Sequence, residues 1–133
     1  MGSHQEKLSL LQDLIALSKV DGNVSFMENN FIYTIALNLN ISEIELNQLK
    51  NNPVDYSPEN KETDRIIQFY RLLLLMSVDQ VKEKEEIDFC KEAGLKMGLN
   101  PIAIDTTIQK ILKSDTGMMS PNDVIKIFQP YHN

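Results

Sequence analysis

Apolar residues recur every three to four positions through most of the chain, a spacing typical of amphipathic helices. The spacing predicts seven helices, over residues 5–20, 26–39, 43–50, 58–78, 83–97, 101–113 and 122–129. Residues 72–76 are apolar at every position, so the 72–78 segment is expected at the centre of the fold. Because strand patterns are weak throughout, the sequence predicts an all-α, single-domain bundle of about seven helices.

Helix-capping signals support most of these boundaries. Ser25 followed by Glu28, and Ser42 followed by Glu45, have the spacing of a capping box, in which the side chain and backbone amide of each residue bond the other. Three further starts place a cap residue before proline, which suits the first position of a helix. They are Ser57-Pro58, Asn100-Pro101 and Ser120-Pro121.

One pattern occurs twice, 58 residues apart and without a gap. Over residues 14–41 and 72–99, seven of the 28 aligned pairs are identical, and most of the other core-spaced pairs are apolar in both copies. Each copy predicts a helix, an acidic turn and a second helix, with Phe31 and Phe89 in equivalent core positions. An internal, pseudo-symmetric duplication is the simplest interpretation.

Composition narrows the functional classes. The 133 residues carry a net charge of −6 and only two arginines, which disfavours nucleic acid and anionic membranes as partners. The longest apolar run is too short to cross a bilayer, so direct membrane insertion is not expected. Residues 1–4 resemble an expression-tag remnant, which leaves residues 5–133 as the domain.

Cysteine and histidine provide little for catalysis. The single cysteine, Cys90, lies on the apolar face of a predicted helix and is expected to be buried and inert. A lone cysteine and no visible signal peptide predict a reducing, cytoplasmic location. His4 and His132 lie at the chain ends, so no histidine-based catalytic or zinc site is expected.

The first acidic turn, Asp21-Gly22 followed by Glu28, resembles the second half of an EF-hand loop. Aligning it that way places Leu17 and Lys19 at loop positions 1 and 3. Neither side chain offers an oxygen to calcium, so an EF-hand is rejected. The acids also lack the Glu-x-x-His pairs of di-iron bundles.

The same residues resemble the tellurite-resistance TerB family and its TerB-like relatives. The resemblance rests on residues 17–24 through Glu28, on Ala36-Leu37-Asn38-Leu39-Asn40-Ile41-Ser42, and on the degenerate second copy from Val78-Asp79 to Glu86. Gln80 departs from the family pattern, because it stands where the first copy has the turn glycine. Such a relative would be a helical bundle linked to bacterial stress response and found beside other modules, J-domains of co-chaperones among them.

The resemblance also implies a divalent-metal site at Asp21, Glu28, Asp79 and Glu86. Four carboxylates suit a hard cation such as Mg²⁺ or Ca²⁺. The alternative is structural: Glu28 fits a capping role, an anionic side chain is favoured at any helix N-terminus, and Asp21 suits a turn. No nucleophile, phosphate loop or oxyanion donor set stands beside the acids.

The sequence leaves two candidate functions, which belong to different classes of protein. The first is a non-enzymatic, TerB-like interaction module of the bacterial cytoplasm, bound to a protein partner that the sequence does not name and linked to stress or tellurite response. The second is a divalent-metal sensor or metal-dependent enzyme that uses the acidic turns.

Overall fold

A computed structural model describes residues 2–20, 22, 24–78, 84–114 and 119–131. Within these ranges the chain is all-helical, with seven α-helices, one short 3₁₀ helix and no strand. The helices are α1 (His4–Ser18), α2 (Phe26–Asn38), α3 (Glu43–Asn51), α4 (Glu62–Ser77), α5 (Lys84–Lys96), α6 (Pro101–Lys113) and α7 (Pro121–Phe128), and the 3₁₀ helix is Gln129–Tyr131. The predicted fold class is therefore confirmed.

Helices α1 and α4 pack against each other at the centre of the bundle. Helices α2 and α3 pack on α1, whereas α5 and α7 pack on α4, and α6 lies against α5 and α7. The apolar run of α4 is buried as expected, with Leu72, Leu73, Leu75 and Met76 almost fully inaccessible. No helix among the described residues is both long and apolar enough to span a bilayer.

The capping signals are confirmed at α2, α6 and α7. Ser25 and Glu28 form the complete capping box, whereas Asn100 and Ser120 cap α6 and α7 with their side-chain oxygens. The box at α3 is only half formed. Ser42 Oγ accepts from the Glu45 amide, but the Glu45 carboxylate lies 2.7 Å from the His4 ring. A tertiary contact thus replaces the second bond of the box.

The Ser57-Pro58 signal is wrong, because α4 begins at Glu62 after Lys61, which makes no side-chain cap. Tertiary bonds hold the preceding segment against α1. The Gln12 side-chain amide both donates to the carbonyl of Val54 (3.0 Å) and accepts from its amide (2.8 Å). In addition, the Ser57 amide donates to Ser9 Oγ. These bonds tie Val54 and Ser57 to α1, and residues 58–61 remain non-helical before α4 begins.

The 58-residue spacing extends to the helix boundaries. Helices α2 and α5 start and end 58 residues apart, and so do the starts of α3 and α6. Helices α2 and α5 also end in the same way. Asn40 and Gly98 have positive φ (61° and 81°), and the amide of the next residue bonds the carbonyl of Ala36 or Gly94. This is the bonding expected of a left-handed helix terminus.

Burial also repeats at this spacing. Nine aligned pairs are buried in both copies: Leu14 and Leu72, Ile15 and Leu73, Leu17 and Leu75, Ser18 and Met76, Glu28 and Glu86, Ile32 and Cys90, Ala36 and Gly94, Leu39 and Met97, Ile41 and Leu99. Phe31 and Phe89 are half-buried in both, as are Ile35 and Ala93. Each of these four side chains is partly buried and packs against the core, so the members of each pair have matching burial. The duplication itself stays a prediction.

Candidate functional site

Half of the proposed acidic site can be located. Asp21 and Asp79 lie outside the described residues. Glu28 and Glu86 occupy equivalent positions in the first turns of α2 and α5, and both are buried (3% and 6% exposed). The convergence of the four carboxylates stays a prediction.

The Glu28 carboxylate performs the capping role expected of it. Its Oε1 accepts from the Ser25 amide at 3.1 Å, and its own amide donates to Ser25 Oγ at 3.0 Å. Glu28 and Glu86 both have interaction partners. Among the described residues, no group of three or more acidic, histidine or cysteine side chains is arranged to hold a metal ion. The capping interpretation thus accounts for Glu28 within this part of the chain.

A second group of ionisable side chains lies where α1 meets α5. Asp13 lines a cavity of about 140 Å³ together with Glu92 and Lys96. Burial raises the pKa of Asp13 to about 6, although Lys96 opposes the shift. The Lys96 ammonium also lies 3.9 Å from the centre of the Tyr56 ring, a cation–π distance. Burial, and secondly the Asp13 charge, raise the pKa of the Tyr56 hydroxyl. This cluster links α1, α5 and the segment that precedes α4.

Cys90 is fully buried, as the sequence predicted. Its Sγ lies 4.0 Å from the carbonyl oxygen of Leu72. Burial, reinforced by Glu86, raises the pKa of the thiol well above its ordinary value. A buried thiol held in its neutral form is a poor nucleophile.

A groove lies between α1, α2 and α3, and we call it the α2 groove. It has a volume of about 530 Å³, within the range of natural ligand sites. Its apolar lining includes Phe26, Tyr33 and Val24, which are exposed, and Ile15, Ile32 and Leu46, which belong to the core.

Polar residues complete the lining of the α2 groove. Lys19 ends α1, Lys50 lies in the last turn of α3, and Glu43 begins α3. Asn29, Asn30 and Asn47 add side-chain amides. The groove therefore combines aromatic surface with hydrogen-bonding groups and two cations.

Helix α2 exposes far more apolar surface than a core-facing helix requires. Phe26 is 78% exposed, and Tyr33 and Leu37 follow at spacings of seven and four, which place them on the same face. At the corresponding positions of α5 stand Lys84 and Lys91, followed by Leu95. Helix α5 has the same length as α2 and forms with charged residues at two of the three positions with this spacing.

Sequence reasoning missed the α2 groove. It assigned the apolar stripe of α2 to the core through Phe31, Ile35, Ala36 and Leu39. The signal that could have revealed the groove is the second stripe of Phe26, Tyr33 and Leu37, read against the charged residues of the second copy.

The chain matches no family model, and no curated protein or solved structure is significantly similar to it.

Proposed function

We propose that the chain is a TerB-like interaction module without enzymatic activity of its own, working in the bacterial cytoplasm and linked to the stress or tellurite response. The observation that carries the interaction role is the exposed aromatic surface of α2 beside the α2 groove. Aromatic side chains are enriched in the buried centres of protein interfaces. Water-facing aromatic residues grouped around a groove are typical of a binding surface.

The remaining chemistry supports the same proposal. Among the described residues, the cysteine is buried with a raised pKa, and His4 is engaged by Glu45. Asp13 has a perturbed pKa, but it lines a cavity of only about 140 Å³, less than a small-molecule site usually offers. The link to bacterial stress rests on the sequence resemblance.

Site-specific crosslinking tests the interaction role. A photoreactive benzoylphenylalanine replaces Phe26 in the full chain, expressed in cells of the source organism. The matched control places it at Leu95, which is also exposed on the surface of an equivalent helix. We expect a discrete protein adduct from position 26 and none from position 95. Equal labelling at both positions, or none at either, would contradict the proposal.

A gene deletion tests the biological setting. If the stress link holds, loss of the protein should sensitise cells to tellurite, and wild-type protein should restore growth. A double variant, Phe26→Lys with Tyr33→Lys, should fail to restore growth although it folds. Unchanged tolerance in the deletion strain would sever the link to tellurite and leave the interaction role standing.

Divalent-metal sensing is the second candidate, favoured by the equivalent burial of Glu28 and Glu86. Glu28→Gln separates it from simple capping, because glutamine can still complete a capping box but removes a charge. If metal binds, Mg²⁺ or Ca²⁺ should raise the melting temperature of wild-type protein that has first been treated with a chelator. The increase should be smaller for Glu28→Gln. If Glu28 only caps α2, metals should change neither protein.

A further inference from the structure

We propose that the α2 groove receives an amphipathic helix from a partner protein, with acidic residues flanking the apolar face of that helix. The inference rests on the proposed interaction role and specifies the chemistry of the partner. Three observations support it: the available backbone, the shape of the apolar lining and the charge of the rim.

The backbone leaves side-chain recognition as the means of binding. The described residues contain no strand, so they offer no sheet edge to which an extended peptide could add by backbone pairing. A helix satisfies its own backbone hydrogen bonds and presents side chains alone. Binding against α1, α2 and α3 would therefore extend the helix packing that already forms the bundle.

The apolar lining suits one face of such a helix. The exposed Phe26 and Tyr33 are seven residues apart on α2, about two helical turns. An incoming helix with apolar residues at positions i, i+3 or i+4, and i+7 spans the same length. Known ligand pockets bury about 70–90% of the surface of a small molecule. Phe26 is largely exposed at the edge of the α2 groove, so the groove is too open to enclose a small molecule to that extent.

Charge favours an acidic partner. Two lysines and one glutamate line the α2 groove, which gives the lining a net charge of +1, whereas the whole chain carries −6. Within the described residues, the ion pairs use His4, Lys84 and Lys91 as their cations. Lys19 and Lys50 therefore have no carboxylate at ion-pair distance there. Carboxylates beside the apolar face of a partner helix would complement them.

The same charges argue against a second copy and against a membrane. A second copy would bring another chain of net charge −6 toward the groove. An anionic bilayer would be repelled by the rest of the surface, because attraction to such a bilayer needs clustered basic residues. A short acidic helix brings far less negative charge than a whole second copy, and its carboxylates would lie beside Lys19 and Lys50.

Peptide selection tests the proposal with the full-length protein as bait. A phage library of 18-residue helical peptides, randomised at every surface position, is selected on wild type. Counter-selection uses the Phe26→Lys, Tyr33→Lys double variant, whose substitutions copy residues found on α5. We expect enriched peptides to combine helically spaced apolar residues with a net negative charge.

Binding of an enriched synthetic peptide is then measured by fluorescence anisotropy. We expect at least tenfold weaker binding to the Phe26→Lys, Tyr33→Lys variant and to a Lys19→Glu, Lys50→Glu variant. Affinity should fall as salt rises, as screening requires. The matched control, Leu95→Lys with Ile102→Lys, changes two exposed apolar residues of α5 and α6 and should bind like wild type. Circular dichroism confirms that every variant is folded.

Each other outcome overturns the proposal in a distinguishable way. Enriched peptides that are neutral or basic, or that ignore Lys19→Glu with Lys50→Glu, would disprove the acidic partner and leave the interaction role intact. Sedimentation showing a dimer that Phe26→Lys dissociates would assign the groove to a second copy. Cosedimentation with anionic phosphatidylglycerol vesicles would assign it to a membrane. Enrichment of no peptide against the counter-selected variant would remove the groove as a helix site, whereas the crosslinking result independently decides the interaction role.

Discussion

Replacing Asp13 with asparagine should stabilise the protein at neutral pH. Burial raises the pKa of the Asp13 carboxyl from 3.8 to about 6, with Lys96 partly opposing the shift. Asparagine has nearly the same shape and carries no charge to bury. Asp13→Asn therefore removes the cost of ionising a carboxyl that is largely shielded from water.

The sign and size of the effect follow from linkage. Below the unfolded pKa, the carboxyl is protonated in both the folded and the unfolded chain and does not affect stability. As the pH rises through the folded pKa of about 6, the unfolded state is already ionised, and the folded state is penalised. A shift of this size corresponds to about 3 kcal/mol, at ~1.4 kcal/mol for each pH unit. Wild type should lose that much stability between about pH 4 and pH 6, relative to Asp13→Asn.

Urea unfolding followed by circular dichroism, at pH values from about 3 to 8, measures the difference. We expect nearly equal stability at about pH 3, below the unfolded pKa, and an advantage of about 2–3 kcal/mol for Asp13→Asn at pH 7. Other titrating groups cancel in the comparison between the two proteins. Asp105→Asn is the matched control. It removes an exposed carboxylate, 3.6 Å from Lys91, and should change stability by less than about 1 kcal/mol.

Two results would refute this reasoning. If Asp13→Asn is less stable than wild type at pH 7, attraction to Lys96 outweighs desolvation, and the carboxylate is stabilising. If a carbon-detected titration places the pKa of Asp13 at or below its ordinary value, desolvation does not dominate, and attraction to Lys96 or solvation of the carboxylate offsets it.

Three further predictions concern the core and the caps. Phe69→Ala should lower the free energy of unfolding by about 3–5 kcal/mol, because Phe69 is fully buried, whereas the half-buried Phe31→Ala should cost about 1–3 kcal/mol; equal costs in urea titrations would contradict the burial difference. Ser25→Ala should cost about 1 kcal/mol by thermal unfolding, since it removes the cap of α2, and Ser25→Thr should restore most of it. Cys90 should react with a thiol reagent only as fast as the native protein opens, so rapid labelling under native conditions would show that the thiol is accessible.

The sequence predicted the helices well because each boundary depends on residues only a few positions apart. Ser25 with Glu28, and Asn100 before Pro101, satisfy backbone groups within one turn, so the signal is local. Ser57-Pro58 has an equally good local signal, but no helix starts there, and this segment is instead tied to α1 by the Gln12 and Ser9 side chains. Long-range bonds of that kind leave no periodic trace in the sequence.

The candidate site was less predictable for a different reason. Burial in the core imposes a period on α2 that identifies Ile32, Ala36 and Leu39, whereas Phe26 and Tyr33 are exposed and lie outside that period. That Phe26 and Tyr33 line one groove is visible only once α1, α2 and α3 are packed together. The acidic turns are the opposite case, because the sequence named the residues but the structure describes only part of the site. The sequence named four carboxylates, and the structure accounts for one of them, Glu28, as a helix cap.

The double hydrogen bond between Gln12 and Val54 sets different degrees of mutational freedom at its two ends. The Gln12 side chain bonds only the backbone amide and carbonyl of residue 54, so every amino acid except proline can preserve both bonds. At position 12, in contrast, even asparagine is one methylene too short to reach from α1. These two bonds should therefore allow wide variation at position 54 among natural or selected sequences and little variation at position 12, although Gln12 is not part of the apolar core.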